Sequence, residues 1–181
     1  MISRAIGQPK GFTLFELLIT LFLASLLSGL AVASFAGTLA RQRQSAEINA
    51  LFHAVHVARK ESIMRRRVVS LCPSSDGQVC HPGRDWSDGW LMFENTDRDS
   101  PPRVDPGEPI LAQHRVAENV RVTANRSGFT FRATFLRATN GTFVVCDEKQ
   151  RITPKALVIS YTGRPRVARH SPKGDLYSCA D

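Results

Sequence analysis

The feature that most constrains the fold of this chain is an apolar run over residues 12–39, in which Glu16 is the only charged residue. A helix of about 20 apolar residues is long enough to cross the hydrocarbon core of a bilayer, so the run is predicted to be a single transmembrane helix. An ionised carboxylate in hydrocarbon costs about 3 kcal/mol unless a cation lies beside it. Cleavage after Gly11 would create that cation, because the free amine of Phe12 would lie about one helical turn from Glu16.

The start of the chain resembles type IV pilin-like proteins. That family has a short basic leader ending in Gly, then Phe, then an apolar helix with Glu at its fifth position, which matches Gly11, Phe12 and Glu16 here. The resemblance implies that a prepilin peptidase removes residues 1–11 and methylates the amine of Phe12. It also implies assembly with other pilin subunits through the N-terminal helix, with Glu16 pairing with the N-terminus of a neighbouring subunit.

Two simpler interpretations compete with this one. An ordinary membrane anchor explains the length of the apolar run but not the presence of Glu16. A secretory signal peptide explains the basic residues Arg4 and Lys10 and the small residues at 31–33, which resemble a cleavage site. The run is, however, about twice as long as the 7–15 apolar residues of a signal peptide, and it carries an acid. The pilin interpretation is therefore favoured.

Helical periodicity continues beyond the apolar run. Between residues 40 and 67 apolar residues recur at steps of three and four, as on one face of a helix, and no proline interrupts them. The positions of this stripe are Ile48, Leu51, Phe52, Val55, Ala58, Ser62 and Ile63. The sequence thus predicts one helix over residues 12–67, half in the membrane and half packed on a C-terminal domain. The three arginines at 65–67 are assigned to the end of that helix, where cations stabilise the helix dipole.

After residue 67 the pattern changes to short segments of strand-forming residues separated by turn residues. Strands are predicted near residues 68–72, 89–94, 110–112, 120–123, 128–135, 141–146 and 156–161. Their spacing predicts an antiparallel sheet packed against the helix. The expected fold is therefore α+β and type IV pilin-like, with residues 1–11 as leader, 12–67 as helix and 68–181 as a β domain that ends in a basic tail.

Four cysteines, Cys72, Cys80, Cys146 and Cys179, lie on the same side of the apolar run, and none has the C-x-x-C spacing of a metal or redox site. An even number is typical of disulfides in an oxidising compartment. Three pairings are open. Cys72 with Cys80 and Cys146 with Cys179 are favoured, since the first pair closes a short loop and the second fastens the tail. The C-terminal domain is therefore expected in the periplasm, with the chain in the inner membrane before it enters a pilus at the cell surface.

Three further sequence segments restrict the resemblance to a smaller group within the pilin-like proteins. LCPSSDGQVC, WSDGW and GTFVVC are similar to segments of FimT/GspH-type minor pilins and pseudopilins, so the resemblance extends over nearly the whole mature chain. It implies that the protein is a minor subunit of a type IV pilus or of a type II secretion system.

The most informative charges lie in the C-terminal tail. The formal net charge is +8, or +6 without the leader, and residues 149–174 contain seven basic residues and no acidic one. The basic residues are Lys149, Arg151, Lys155, Arg164, Arg166, Arg169 and Lys173. Gly163 allows a tight turn. On an extended segment after that turn, the guanidinium groups of Arg164 and Arg166 would point to one side, roughly 7 Å apart, which matches the spacing of successive phosphates.

The GRPR string at residues 163–166 also matches the GRxR signature of the FimT branch of minor pilins. Members of that branch bind DNA for uptake in natural transformation, so the resemblance implies that DNA is a partner and that Arg164 and Arg166 contact its backbone. The other residues assigned to this site are Gly163, Arg169, Lys173, Arg151 and Lys155. Two alternatives stay open. The segment could be a basic edge hairpin whose charges only deter aggregation, or the chain could be a minor pseudopilin of type II secretion with no nucleic-acid partner.

No combination of residues indicates an enzyme, a metal site or a cofactor. The sequence lacks nucleophile-elbow, P-loop and zinc-protease motifs, and its five histidines are scattered. The polar segment 95–109 contains Asn95, Asp97, Asp99, Asp105 and Glu108. Oxygen ligands of this kind suit Ca²⁺, but the glycine of an EF-hand is missing and prolines interrupt the segment, so a solvated loop is expected. Trp86 and Trp90 are expected as core or loop anchors rather than as base-stacking residues.

Overall fold

The computed structural model describes residues 11–133 and 138–179, and for residues 30–34 it describes the backbone only. The chain divides into two compact units, Met1–Thr38 and Leu39–Asp181. One helix, α1, extends over Leu14–Arg65 and contributes to both units.

The N-terminal unit exposes its apolar side chains. Phe12 is 88% and Leu14 is 78% exposed, and the large apolar residues that follow as far as Leu27 are exposed as well. Among the residues that the structure describes, no helix combines the length and the apolar character needed to cross a membrane. The single membrane pass predicted for residues 12–39 is therefore not confirmed.

The described residues of the C-terminal unit, 39–133 and 138–179, form eight strands. They are β1 (Val69–Pro73), β2 (Gly89–Glu94), β3 (Ile110–Arg115), β4 (Val120–Ala124), β5 (Phe129–Phe131), β6 (Gly141–Asp147), β7 (Lys155–Ile159) and β8 (Pro165–Ala168). The first seven coincide with segments predicted from the sequence. The predicted strand at 128–135 is observed as β5 alone, and residues 134 and 135 lie outside the described ranges.

All strand pairs are antiparallel, and they form two four-stranded sheets rather than one. The first sheet has the order β3-β2-β1-β5 and the second has the order β4-β6-β7-β8. The chain changes sheets because β5 returns to pair with β1, while β4 pairs forward with β6. The α+β class, with a helix packed on antiparallel strands, is confirmed.

The core lies between the C-terminal half of α1 and the two sheets. Leu51, Val55 and Ala58 of the predicted stripe are buried and pack with apolar residues of both sheets, but Phe52 and Ile63 are exposed at 37% and 39%. The buried aromatic residues are Trp86, Trp90, Phe93, Phe129, Phe131 and Phe143. Trp86 meets Phe143 edge-on, with ring centroids 4.9 Å apart. Both tryptophans therefore serve the core, as predicted.

Two polar side chains on the buried face of α1 fix the helix to the sheets. The side-chain amide of Gln44, which is 1% exposed, donates to the carbonyl oxygens of Val145 and Thr153, each at 3.0 Å. The carboxylate of Glu47 accepts the N–H of Ala117 at 3.0 Å and lies 2.8 Å from Nε2 of His114. Buried polar groups need such partners, because an unpaired one costs about 1–3 kcal/mol.

Two disulfides complete the C-terminal unit. Cys72 is bonded to Cys80 and Cys146 is bonded to Cys179, which are the two favoured pairings. The first closes the loop after β1, and the second fastens the C-terminal tail to β6.

Candidate nucleic-acid interface

Strands β7 and β8 form a hairpin whose tip, residues 160–164, contains the turn predicted at Gly163. The N–H of Gly163 donates to the carbonyl oxygen of Ser160 at 2.8 Å, and the N–H of Ser160 donates to that of Arg164 at 3.0 Å. The N–H of Arg164 donates to the hydroxyl of Ser160 at 3.1 Å. Gly163 has a φ of +73°, a conformation that glycine adopts without steric cost. These bonds fix the backbone at Arg164.

Further contacts fasten the hairpin tip to the rest of the domain. The guanidinium group of Arg59, on α1, donates to the carbonyl oxygen of Thr162, and the N–H of Ala138 donates to that of Tyr161 at 3.2 Å. A Cβ atom added at Gly163 would lie 3.0 Å from Cβ of Ala138 and 3.1 Å from Nη1 of Arg59. The tip is therefore a packed platform rather than a free loop.

Arg164 and Arg166 project from this platform into solvent. Arg166 lies opposite Val158 in the hairpin register, and Arg164 lies two positions earlier. Residues two positions apart on an extended strand share a face of the sheet, so the two side chains point the same way. Neither guanidinium group forms a salt bridge within residues 11–133 and 138–179. Two cationic groups without a salt bridge in these ranges thus lie at the start of an edge strand, Arg164 directly before β8 and Arg166 within it.

Arg169 and Lys173 extend the positive surface along the tail. Both are exposed, and neither has a salt-bridge partner in the part of the chain that the structure describes. The carbonyl oxygen of Arg169 accepts the N–H of Tyr177 at 3.3 Å, so the tail folds back after β8. The disulfide of Cys179 fixes its end. These two cations therefore lie on an anchored segment.

Arg151 and Lys155 are engaged elsewhere. Nε of Arg151 donates to the buried carboxylate of Asp147 at 2.8 Å, and its Nη2 makes a second bond to the same group. Hydrogen bonding between the two side chains lowers the pKa of Asp147 and raises the pKa of Arg151. Lys155 donates to the hydroxyl of Ser45 on α1 at 3.1 Å. In this structure both side chains hold parts of the domain together, and their place in the DNA site stays a prediction.

A second group of basic residues was not recognised in the sequence. Arg66, Arg67, Arg98 and Arg132 line one cavity of about 570 Å³, which we call the arginine cavity. Arg66 and Arg67 follow α1, Arg98 lies in the loop after β2, and Arg132 follows β5. No sequence signal links these three segments, because only the fold brings them together.

The acidic loop between β2 and β3 is organised by its own hydrogen bonds. Carboxylate oxygens of Asp97, Asp99 and Asp105 all lie within 4.8 Å of one another, which is close enough to hold a metal ion. Asn95 is buried and donates to the carboxylate of Asp99 at 3.0 Å. The carboxylate of Glu108 accepts a backbone N–H at 2.6 Å and so closes the loop.

The residues predicted to serve processing and assembly lie in the N-terminal unit. Gly11 and Phe12 precede a capping box in which the N–H of Thr13 donates to the carboxylate of Glu16 at 2.9 Å, and the N–H of Glu16 donates to the hydroxyl of Thr13 at 3.2 Å. Each side chain satisfies a backbone donor that the first helical turn leaves unpaired. The T-x-x-E spacing is the signal that the sequence interpretation missed. Pairing of Glu16 with a neighbouring subunit stays a prediction.

Comparison with known families gives two matches. A family model described as type II transport protein GspH matches residues 47–163, which is more than half of the chain. A prokaryotic N-terminal methylation motif matches residues 8–32. The first match ends one residue before Arg164, so it does not cover the tip arginines or the tail. No curated protein matches the chain at a significant level.

Two solved structures are similar to this chain. The type IV minor pilin FimU of Pseudomonas aeruginosa has a TM-score of 0.52 and 20% identity, over 71% of this chain and 90% of that one. The minor pseudopilin EpsH of the type 2 secretion system of Vibrio cholerae has a TM-score of 0.49 and 9% identity, over 70% of this chain and 96% of that one. At these identities the likeness to FimU concerns the fold, which is that of a type IV pilin-like subunit.

Proposed function

The chain belongs to the GspH family of type II transport proteins, and we propose that it is a minor type IV pilin that binds DNA through its basic tail, for uptake in natural transformation. The observation that carries this proposal is the pair of exposed arginines, Arg164 and Arg166, on a hairpin tip that is packed against α1 and closed by hydrogen bonds. Arg169 and Lys173 continue the same surface.

The chemistry of the site suits the phosphate backbone rather than the bases. Each guanidinium fork can donate two parallel hydrogen bonds to phosphate oxygens, and two forks on one strand face lie roughly 7 Å apart. Contacts of this kind position a protein on DNA without reading its sequence. We therefore expect binding that depends strongly on salt and little on base composition.

The N-terminal unit supports the role in assembly. We propose that prepilin peptidase cleaves between Gly11 and Phe12 and methylates the new amine, that the chain lies in the inner membrane before assembly, and that other pilin subunits then pack on its helix. The methylation motif over residues 8–32 and the exposed apolar side chains support this. The amine of Phe12 would compensate Glu16 on a neighbouring subunit.

A second candidate is a minor pseudopilin of a type II secretion system, with an assembly role and no nucleic acid. The description of the matching family favours it. It also explains the basic residues of β8 as an edge strand protected from aggregation by charge and by Pro165.

DNA affinity measured against salt distinguishes the two candidates. The full chain is kept in a mild detergent, and its binding to a fluorescent duplex is followed by anisotropy at several salt concentrations. Arg164→Gln combined with Arg166→Gln should weaken binding and reduce the slope of log affinity against log salt by about 2, because each lost phosphate contact removes about 1.

The matched control is Arg41→Gln with Arg43→Gln, which removes the same charge about 24–27 Å along α1 from Arg59, the helix residue that contacts the tip. It should change affinity and slope very little. If the tip variant binds like this control, or if the unmodified protein binds no duplex, the pseudopilin function is the better explanation.

A further inference from the structure

The arginine cavity is a positive site whose cations have few partners. Its lining includes four arginines and no carboxylate side chain, although the carboxylates of Asp99 and Glu108 accept hydrogen bonds from the lining residues Asn95 and Thr96. Arg67 lies 3.5 Å from Glu94, but Glu94 is shared with Arg65 at 3.9 Å. Among the described residues, Arg66, Arg98 and Arg132 form no salt bridge. Like charges gathered around one concave space repel each other and attract an anion.

Two of these arginines occupy backbone positions that favour glycine. Arg66 has a φ of +54° and Arg98 has a φ of +64°, both in the left-handed region. Glycine is the usual residue after a helix end of this type, because a side chain there is strained. The helix dipole gives a reason for a cation at Arg66, but the backbone gives none for arginine at position 98, where a bound anion would.

The cavity lies at the same end of the C-terminal unit as the hairpin tip. Arg59 donates to the tip at Thr162, and Arg66 follows seven residues later, about 10 Å farther along the axis of α1. A Cβ atom at Gly163 would lie 3.6 Å from the ring of Phe131, the residue directly before Arg132. A polyanion held at the tip therefore passes within reach of the cavity.

We propose that the arginine cavity binds a phosphate group of the DNA backbone and is a second anchor beside the hairpin tip, an inference that rests on the proposed function. A phosphate suits the cavity better than a carboxylate, because its oxygens can accept from several guanidinium forks at once. The volume of about 570 Å³ is also ample for a phosphodiester with its sugar.

The test uses the full chain in detergent with Arg66→Gly combined with Arg132→Gln. Duplex affinity should fall by about tenfold or more, and the salt slope should decrease by about 1, because one phosphate contact is lost. Arg41→Gln with Arg43→Gln is again the control for charge. Arg66→Gly relieves the left-handed strain, and the melting temperature of the double variant is measured as well. A double variant that melts like the unmodified protein but binds weakly has lost the site and not the fold.

Inorganic phosphate distinguishes the source of the phosphate group. At constant ionic strength it should lower duplex affinity of the unmodified protein towards that of the cavity variant, and should affect the cavity variant much less. A cavity variant that binds the duplex as the control does overturns the inference, even if inorganic phosphate binds the unmodified protein, because the site would then serve free phosphate.

The outcomes separate this inference from the proposed function. If only the variant with Arg164→Gln and Arg166→Gln loses affinity, the cavity site is refuted, but the proposed DNA-binding function is still supported. Loss in the cavity variant alone supports the cavity and refutes the role of Arg164 and Arg166. If the unmodified protein binds no duplex, the proposed function fails and the inference fails with it.

Discussion

Replacing Gly163 with alanine tests whether the hairpin tip is the packed platform that DNA binding requires. Two effects of Gly163→Ala combine. Alanine at a φ of +73° is strained, because its Cβ approaches the backbone carbonyl. The new methyl group would also lie 3.0 Å from Cβ of Ala138 and 3.1 Å from Nη1 of Arg59. Both groups belong to elements that hold the tip in place.

The size of the effect follows from these two terms. The left-handed backbone costs about 1 kcal/mol for a residue other than glycine. Forcing a methyl group into a packed site costs about 1–3 kcal/mol more. The total of about 3 kcal/mol corresponds to a fall in melting temperature of about 10 °C for a domain of this size. Movement of the tip should also displace Arg164 and lower the affinity for DNA.

Gly107→Ala is the matched control. Gly107 has a φ of +94°, but a Cβ atom there would meet nothing within 4 Å. That variant should lose only the backbone term, about 1 kcal/mol or about 3 °C. Melting followed by circular dichroism and duplex binding by anisotropy give both readouts. Equal melting temperatures for the two variants would refute the packing argument, and a destabilised Gly163→Ala protein with full affinity would show that DNA binding does not need the tip.

Three other outcomes are expected. Cys146→Ser with Cys179→Ser opens a loop with a sequence separation of 33 and should lower the free energy of unfolding by about 4 kcal/mol in the chain-entropy model, measured by denaturant titration; an unchanged midpoint would mean that the tail is not fastened there. Arg151→Gln should destabilise the fold without changing the salt slope of DNA binding. The pKa of Asp147 is lowered in the folded state, so the stability from this pair should be complete above the unfolded pKa of about 3.8 and be lost as pH falls from there through the lower folded pKa. If Arg151→Gln lowers the free energy of unfolding equally at pH 2 and pH 7, the ion pair is contradicted. Mass spectrometry of the protein from membranes should find Phe12 as a methylated first residue, and any other N-terminus argues against processing by prepilin peptidase.

Local patterns in the sequence were sufficient to predict where the helix and the strands lie, but not which strands pair with each other. Strand β2 was predicted with the bounds observed, because GWLMFE combines strand-forming residues with flanking turn residues. The pairing of β5 with β1 depends on residues about 60 positions apart, which no local pattern specifies. On α1, periodicity identified Leu51 and Val55, yet it also included the exposed Phe52. Gln44 was missed because its burial requires acceptors on other elements.

The same distinction applies to the candidate site. Arg164 and Arg166 were predicted because the turn, the paired charges and the absence of acids are contiguous in the sequence. Arg151 belonged to the same basic window, but its charge is used by Asp147, four residues earlier. Arg132 had no contiguous signal at all. Composition therefore locates a basic tail, whereas only the fold separates the cations that neutralise carboxylates from those that remain for a ligand.

Presenting arginines on a hairpin would have an energetic consequence for the proposed binding to the DNA backbone. A flexible tail would lose about 1–2 kcal/mol of backbone entropy for each residue that becomes ordered on binding. In this chain β7 has already ordered the four residues of β8, and the disulfide of Cys179 has fastened the segment that follows. This backbone entropy is lost during folding and not on binding, so more of the free energy of each phosphate contact contributes to the affinity. Sequence-independent binding has few contacts per nucleotide, so each contact must contribute more. A rigid support for Arg164 and Arg166 would provide this in the proposed binding mode.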